Sequence, residues 1–417
     1  LIAVVVAAYK GTMNATTKAS IDAAKDAVTL AIGLVGMMSL WLGIMKVVEV
    51  GGMMDMVARL IRPITIRLFP DVPANHPAMS AMIMNMAANM LGLGNVATPM
   101  GIKAMQELDK LNPEKGTATN AMCLFLAINT SSLALLPLGV ITVRAAAGAS
   151  EPGSIFIPSL VATAISTTVA IISAKLFALR SPAPMAAAAK IELADGGEDE
   201  KPKDQDLSPP GWIGRSLVFG LIAAFAVAIV LKFVNGTAPA FFSMDLVLKG
   251  SGWLLPILMC GFLLFGYLKG VKVYEAVTEG AKEGFTIAIR IIPFLVAIFV
   301  AIGMFRASGA LDLFVSLVSP LTSLIGMPGE ALPMVFLRPL SGTGAYGFMS
   351  ETVAKDPNSF VSFLVSTMQG STETTFYVLA VYFGSVGIRK ARYALPVGLM
   401  ADAAGFIAAL AICRVMW

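Results

Sequence analysis

Polar and ionisable side chains interrupt several apolar stretches of this chain, and their chemistry suits the binding of a small solute or a cation. Glu373 is the sharpest candidate, because a carboxylate within an apolar segment is costly to bury and is usually functional. It belongs to the run Gln369-Gly370-Ser371-Thr372-Glu373-Thr374-Thr375, whose hydroxyls and amide both donate and accept hydrogen bonds. Glu373 could carry a coupling proton, coordinate a cation or contact a substrate.

A second run, Asn129-Thr130-Ser131-Ser132, lies inside the apolar stretch Ala118–Val143 and is neutral. Together with the first run it could replace the hydration shell of a polar solute or bind Na⁺. The competing interpretation is that these side chains only cap backbone groups within a helix.

A third polar segment reads MNMAANMLGLGNVATPMG, and its Asn85 and Asn89 are four residues apart, so they share one helix face. Irregular backbone at membrane depth persists only where protein or a water-filled cavity satisfies its polar groups. The asparagines could line a binding site or could join neighbouring helices by hydrogen bonds. The residues predicted to break this helix, or to lie at the break, are Gly92, Gly94, Asn95, Thr98 and Pro99.

The fourth segment, LRPLSGTGAYGFMSE, supplies Arg338, Ser341 and Thr343 in place of the asparagines. Its glycines favour tight turns. Arg338 could contact the solute, or it could form a buried ion pair with Glu373.

These four segments define the predicted site. The residues assigned to solute binding are Asn85, Asn89, Asn95, Thr98, Asn129, Thr130, Ser131, Ser132, Arg338, Ser341, Thr343, Gln369, Ser371, Thr372, Glu373 and Thr374. The residues assigned to a coupling ion, Na⁺ or H⁺, are Glu373, Asn129 and Thr375. We expect no resident metal or other cofactor, because there is one histidine and the three cysteines lack a CxxC spacing.

The elements that must position these residues are membrane helices. The chain is 57% hydrophobic and 13% charged, about half the charge content of a soluble domain, and its mean hydropathy is +0.80. The net charge of +4 belongs to loops and does not indicate nucleic-acid binding. The predicted spans are roughly Val28–Val50, Ala118–Val143, Ile155–Leu179, Ile213–Phe233, Leu254–Tyr267, Phe285–Phe305, Phe360–Phe383 and Ala394–Val415. We predict an all-α polytopic membrane protein.

The second half of the chain repeats the first. Ala24–Leu68 aligns without a gap on Ala281–Ile325, an offset of 281 − 24 = 257, with identities that include Asp55/Asp312. This predicts two inverted-topology repeats, each of about four transmembrane helices plus a re-entrant hairpin. A linker and one extra transmembrane helix would join them, and a solute pathway would lie at their interface. The predicted units are 1–180, the charged linker 181–212, the connecting helix 213–251 and 252–417.

Loop charges predict the orientation. Lysines and arginines are more numerous on one side of the predicted spans, which favours a cytoplasmic N-terminus and a cytoplasmic 181–212 linker in a bacterial inner membrane. Leu1–Ala8 is interpreted as the end of a helix whose beginning precedes the sequence.

Long motifs carry a resemblance to known families. Residues 1–180 resemble the spore maturation protein A family, through LWLGIMKVVEVGG, HPAMSAMIMNMAANMLGLGNVATPMGIKAMQEL and ATNAMCLFLAINTSS. Residues 252–417 resemble the spore maturation protein B family, through VYEAVTEGAKEGF, RPLSGTGAYG and MQGSTETTFYVLAVYFGSVGIRK. The resemblance implies two Gate, or nucleoside-recognition, domains similar to elements of concentrative nucleoside transporters and bacterial ferrous-iron transporters. It implies that two usually separate proteins work here as one unit, and it is compatible with a homo-oligomer.

The leading hypothesis is a secondary transporter of a small polar or charged solute, such as a nucleoside, an amino acid, a peptide or an ion. It would work by alternating access, and its coupling would come from an ion gradient because no GxxxxGK[ST] motif occurs. An enzyme is not expected, since neither paired catalytic acids nor HExxH is present. The other hypothesis is a non-transporting scaffold or receptor of an envelope or spore-maturation complex.

Overall fold

The computed structural model describes residues 1–131, 134–180, 207, 209–234 and 244–417, apart from the side chains at 94, 95, 225, 226, 229, 230, 232–234, 244–255, 294 and 318–324. Every long element in these residues is an α-helix. The helices are α1 (Ile2–Lys10), α2 (Met13–Val50), α3 (Met53–Leu68), α4 (Pro77–Met90), α5 (Gly94–Lys110), α6 (Asn120–Ser131), α7 (Leu138–Ala146), α8 (Phe156–Arg180), α9 (Trp212–Val234), α10 (Met244–Lys269), α11 (Val273–Ala307), α12 (Ala310–Ile325), α13 (Leu332–Leu340), α14 (Gly342–Lys355), α15 (Phe360–Ser371), α16 (Thr375–Gly384) and α17 (Ala394–Met416).

The all-helical membrane class predicted from composition is confirmed in its general form. Four helical stretches within the described residues are long and apolar enough to cross a membrane: Met13–Val50, Pro152–Arg180, Val273–Ala307 and Ala394–Met416. Two repeats of about four spans and one extra helix would give nine crossings, more than these four stretches. Of the predicted linker 181–212, residues 181–206 and 208 lie outside the described residues, and α10 continues through the predicted boundary at 252.

Two predicted spans are wrong as continuous helices. The stretch Ala118–Val143 forms α6 and α7, and the stretch Phe360–Phe383 forms α15 and α16. In the second break Thr372 is extended, with φ −144° and ψ 170°. In the first break Pro137 precedes α7 and lacks the N–H that a continuous helix would use. Ser and Thr side chains also compete for backbone groups near both breaks. We call the described non-helical residues the first break (134–137) and the second break (372–374).

The long helices α2 and α11 run antiparallel and pack along much of their lengths through glycines. A Cβ built on Gly284 would lie 2.6 Å from the Cα of Ser39, and one built on Gly303 would lie 3.0 Å from the Cβ of Ala23. Residue numbers therefore rise along α11 as they fall along α2. Because glycine has no side chain, the two backbones can approach this closely, as is common between membrane helices.

The helices α8 and α17 also run antiparallel and bring the two breaks to one place. The rings of Phe177 and Tyr393 lie 5.9 Å apart near one end of the pair. Farther along, a Cβ built on Gly405 would lie 3.3 Å from the Cβ of Ser166. Both helices also pack against α6 and α15, the helices that lead into the two breaks.

The polar segment before α5 differs from its prediction in one respect. The turn occupies Leu91–Leu93, where Gly92 has a φ of +75°, and α5 then begins at Gly94. Pro99 was predicted to break the helix, with Asn95 and Thr98 at the break, and this is wrong: all three lie within α5, Asn95 as its second residue. The left-handed conformation of Gly92 makes the turn by itself, because glycine adopts positive φ at little cost. In the other polar segment, Ser341 caps the N-terminus of α14.

Candidate functional site

A backbone hydrogen bond joins the second break to the end of α6, the helix that leads into the first break. The Glu373 N–H, in the second break, donates to the carbonyl oxygen of Thr130, at the end of α6, over 2.7 Å. Interrupted helices leave backbone donors and acceptors without partners in their own helix, and here one interruption supplies a partner for the other. The Asn129 and Glu373 segments, which are far apart in sequence, therefore form one polar region.

Arg338, on α13, forms hydrogen bonds to the second break. It is 3% exposed, and its guanidinium donates to the Thr374 hydroxyl over 2.9 Å and to the Thr372 carbonyl oxygen. A guanidinium nitrogen also lies 3.6 Å from Glu373 Oε2, and 48% of the Glu373 side chain is exposed. The ion pair that the sequence left as an alternative is therefore present. Because Glu373 is half exposed, its end of the ion pair is accessible to solvent.

Asp402 was missed by the sequence reasoning. This carboxylate is on α17, is 2% exposed, and accepts a hydrogen bond of 2.7 Å from the hydroxyl of Thr375. A signal was available, since Asp402 is an acidic residue within the predicted span Ala394–Val415 and fits the argument that selected Glu373. Thr375, assigned from the sequence to a coupling ion, is thus bonded to a carboxylate that the prediction lacked.

Beside the first break, three amide side chains and a phenol form a second polar cluster. The Asn89 amide donates to Asn129 Oδ1 over 2.9 Å, and the Tyr382 hydroxyl approaches the same oxygen at 3.3 Å. The Asn85 amide donates to Ala97 O at 2.7 Å and to Tyr382 at 3.2 Å. Tyr382 was also missed, because it stands in the apolar run VLAVYFG with no polar neighbour to mark it. In this conformation the asparagines bond to each other and to neighbouring helices.

The hydroxyls that end α6 and α15 bond mostly to their own helices. Thr130 donates to Ala127 O, and Ser131 donates to Ile128 O and also to Thr167, on α8, over 3.0 Å. Ser371 donates to Met368 O in the same way. This local pattern matches the backbone-capping alternative for these hydroxyls.

The remaining predicted residues lie farther out or have less definite contacts. Ser341 accepts from the Gly344 N–H over 3.1 Å and lies 3.4 Å from the Thr343 hydroxyl. Gln369 is half-buried, and its Oε1 has no hydrogen-bond partner in the described part of the chain. Thr98 lies on α5 and is half-buried. Ser132 and the side chain of Asn95 lie outside the described residues.

Within the described ranges, no three His, Cys, Asp or Glu side chains come together in a way that could hold a metal ion. The oxygens that converge at the second break belong to one buried carboxylate, one half-exposed carboxylate and several hydroxyls. Such a set can bind a proton, a monovalent cation or the polar groups of a solute.

Comparisons with known proteins match this chain in its first half and in its second half. A family model described as "Gate: Nucleoside recognition" matches residues 31–147 and 288–389. The chain is similar to spore maturation protein B of Bacillus subtilis, with 49% identity over 165 residues that cover 39% of this chain and 93% of the relative. It is also similar to spore maturation protein A of the same organism, with 43% identity over 180 residues, 43% of this chain and 92% of the relative. Inner membrane protein YjiG of Escherichia coli is 36% identical over 77 residues, 18% of this chain and 50% of that protein. The resemblance inferred from the motifs is confirmed.

Proposed function

We propose, since the chain belongs to the Gate family of nucleoside-recognition proteins, that it is a secondary transporter of a small polar or charged solute. A nucleoside is the first solute class to test, because the family description names nucleoside recognition. Amino acids, peptides and inorganic ions are the next classes. An ion gradient of Na⁺ or H⁺ would supply the coupling.

The observation that carries this proposal is the hydrogen bond from the Glu373 N–H, in the second break, to the Thr130 carbonyl oxygen, at the end of the helix before the first break. Discontinuous helices whose ends meet inside a membrane protein are typical of solute and ion sites in secondary transporters. A scaffold has no need of unwound backbone and buried charge in the middle of apolar segments, where both are costly.

We further propose that the two halves are inverted repeats that move against each other. Two facts support this idea. The helices α3 and α12 have 16 residues each and begin 310 − 53 = 257 residues apart, the offset of the sequence repeat. The corresponding helices α2 and α11 also run antiparallel, as corresponding helices of inverted repeats do. The pairs α4/α5 and α13/α14 would be the re-entrant hairpins.

Two of the relatives are named for spore maturation, and the proposal does not rest on that process. What the relatives do contribute is the pairing of an A-like and a B-like protein, each matched over more than nine-tenths of its length. In this chain both are covalently joined, which supports one functional unit. We propose that it resides in a bacterial cytoplasmic membrane with a cytoplasmic N-terminus and linker.

The proposal is tested by solute uptake into proteoliposomes that contain the purified full chain. Uridine, adenosine and a panel of amino acids are offered under imposed Na⁺ or H⁺ gradients. We expect saturable uptake of at least one solute, and we expect Glu373→Gln to reduce it at least tenfold without lowering expression. The matched control is Glu330→Gln, which changes an exposed glutamate outside the site.

Equal uptake by wild type and Glu373→Gln, with unchanged dependence on pH and Na⁺, would contradict the role of Glu373. A complete lack of uptake, together with no saturable thermal shift for any solute in a broad panel, would contradict transport itself and favour a scaffold.

A further inference from the structure

Asp402 has an unusual environment for a carboxylate. It lies near the middle of α17 and is 2% exposed. Its Oδ2 accepts the Thr375 hydroxyl at 2.7 Å, whereas its Oδ1 has no hydrogen-bond partner among the described residues. The hydroxyl oxygen of Thr372, 1% exposed, has no partner of regular hydrogen-bond geometry there either, although it lies close enough to Asp402 to interact with the carboxylate. These two neighbouring buried oxygens can therefore contact one further atom.

Close packing holds this carboxylate against the second break. A Cβ built on Gly398 would lie 2.8 Å from Cγ2 of Thr375, and one built on Gly405 would lie 2.7 Å from Cγ2 of Thr372. The two glycines flank Asp402 on α17, so the helix backbone lies directly against both ends of the Thr372–Thr375 segment. Asp402 cannot turn towards solvent without separating these surfaces.

The charges around Asp402 do not balance. Its packing partners are α6, α8, α13, α15 and α16, and the charged groups whose fields act on it are Arg338 and Glu373. The other ionisable residues in the described parts of these helices and of α17 are Cys123, Lys175, Arg180, Tyr377, Tyr382, Cys413 and Arg414. If both carboxylates are ionised, Arg338 supplies one positive charge for two negative charges.

An uncompensated buried charge is strongly unfavourable in a low-dielectric interior. Arg338 is engaged by Thr374, by the Thr372 carbonyl oxygen and by Glu373. The Asp402 carboxylate therefore needs a positive charge from outside the protein. A proton on Oδ1 would supply it, as would a Na⁺ ion shared with the Thr372 oxygen.

We propose that Asp402 binds one exchangeable monovalent cation, a proton or Na⁺, and that this is the coupling ion of the protein. The second half of that statement rests on the proposed transport function, whereas cation binding does not. When the cation leaves, the ionised Asp402 competes with Glu373 for Arg338. The guanidinium then changes its position at the second break, which links cation binding to the shape of the site beside Glu373.

Cation binding is measured on the purified full chain in detergent micelles, without solute, so that it is independent of any transport result. Wild type is compared with Asp402→Asn and with Asp312→Asn, a matched control that alters an exposed aspartate in the first turn of α12. One arm measures Tm in NaCl against choline chloride at equal ionic strength and constant pH. The other follows the infrared absorption of protonated carboxyl groups across a pH series in choline chloride.

If the cation is Na⁺, the wild-type Tm rises with NaCl, because a ligand that binds only the folded state stabilises it. If the cation is a proton, wild type shows a protonated-carboxyl band at neutral pH that disappears at higher pH. In either case Asp402→Asn abolishes the response and Asp312→Asn retains it.

The proposal is overturned if wild type shows neither response, or if Asp402→Asn keeps the wild-type response. Should Asp402→Asn fail to fold, Asp402→Glu provides the second test. It keeps a carboxylate at a different distance, and it is expected to bind the same cation with a shifted midpoint. An unshifted midpoint in Asp402→Glu would count against the site. Loss of uptake with intact cation binding would contradict transport but not this site.

Discussion

The two breaks have similar helical surroundings but different electrostatics. The helices that lead into them, α6 and α15, have 12 residues each, and a short helix, α7 or α16, follows each break. Around the first break the described side chains are neutral amides and hydroxyls. Around the second break stand Arg338, Glu373 and Asp402. A shared helical framework therefore does not dictate a shared chemistry.

Both breaks also have long-range hydrogen bonds, and these differ in charge. Beside the first break Ser131 donates to Thr167 and Asn89 donates to Asn129, and all four side chains are neutral. At the second break the charged Arg338, from α13, is bonded to Thr372 and Thr374, more than thirty residues later. Because a buried charged group that loses its partners costs more than a neutral hydrogen bond that is lost, we expect the second break to be the more sensitive to mutation.

The largest expected effect is that of Arg338→Gln. This change removes the ion-pair partner of Glu373 and the buried donor of both the Thr374 hydroxyl and the Thr372 carbonyl oxygen. Water screens the half-exposed Glu373, so most of the expected loss comes from the two buried oxygens, at about 1–3 kcal/mol for each one left without its donor. The measurement is reversible SDS unfolding of the purified protein in mixed micelles. Arg62→Gln, at an exposed arginine of α3, should stay within about 0.5 kcal/mol of wild type.

The double variant Arg338→Gln/Asp402→Asn sharpens this prediction. Removing the carboxylate as well as the guanidinium should recover part of the loss, because the two charges belong to one network. Additive effects would show that Asp402 and Arg338 act independently, which would contradict the idea that they belong to one network of charges.

An intermediate effect is expected from Gly405→Ala. The new methyl would meet Cγ2 of Thr372 at 2.7 Å, and a β-branched side chain has few other rotamers to adopt. Overpacking of this kind costs about 1–3 kcal/mol, observable as a lower Tm in micelles.

The counterpart beside the first break is Gly139→Ala. Gly139, on α7, has nothing within 4 Å of a built Cβ, so the methyl should be tolerated and could stabilise the helix by roughly 0.5–1 kcal/mol. Equal destabilisation by the two glycine changes would remove the contrast between the breaks.

The smallest expected destabilisation is that of Tyr382→Phe, in the neutral cluster. The hydroxyl approaches Asn129 at 3.3 Å and Asn85 at 3.2 Å, so both bonds are long. Hydrogen bonds between membrane helices contribute on average about 0.6 kcal/mol, and the variant should lose no more than about twice that in SDS unfolding. A loss as large as that of Arg338→Gln would show that the neutral cluster contributes as much as the charged one.

Much of the helical framework could be predicted from residues alone. Apolar runs located most of the helices, and the offset of 257 residues relates the starts of α3 and α12. The same runs misled at Ala118–Val143 and Phe360–Phe383, because hydropathy averaged over a window does not register a break of three or four residues. Pro137 and the hydroxyl-rich segments were the available signals for those breaks.

Some of the site residues could likewise be located from the sequence, and others could not. Polar residues inside apolar runs pointed to Glu373, Arg338 and Asn129, but whether they act in solute or ion binding remains a prediction. Asp402 satisfied the same criterion and was overlooked, whereas Tyr382 gave no signal at all. Their partners come from helices far away in sequence, and no spacing rule within one segment could supply such pairs.

By itself the sequence determined the membrane class, the family and the two-part organisation, because composition, apolar length and motif identity are properties of the chain. Only the tertiary structure decided that the second break is hydrogen-bonded to the end of α6, that Arg338 pairs with Glu373, and that α17 brings Asp402 to Thr375. The packing that surrounds these contacts includes the antiparallel pair α8 and α17, which joins residues more than two hundred positions apart. The charge balance at the second break is a property of that packing, and no single segment contains it.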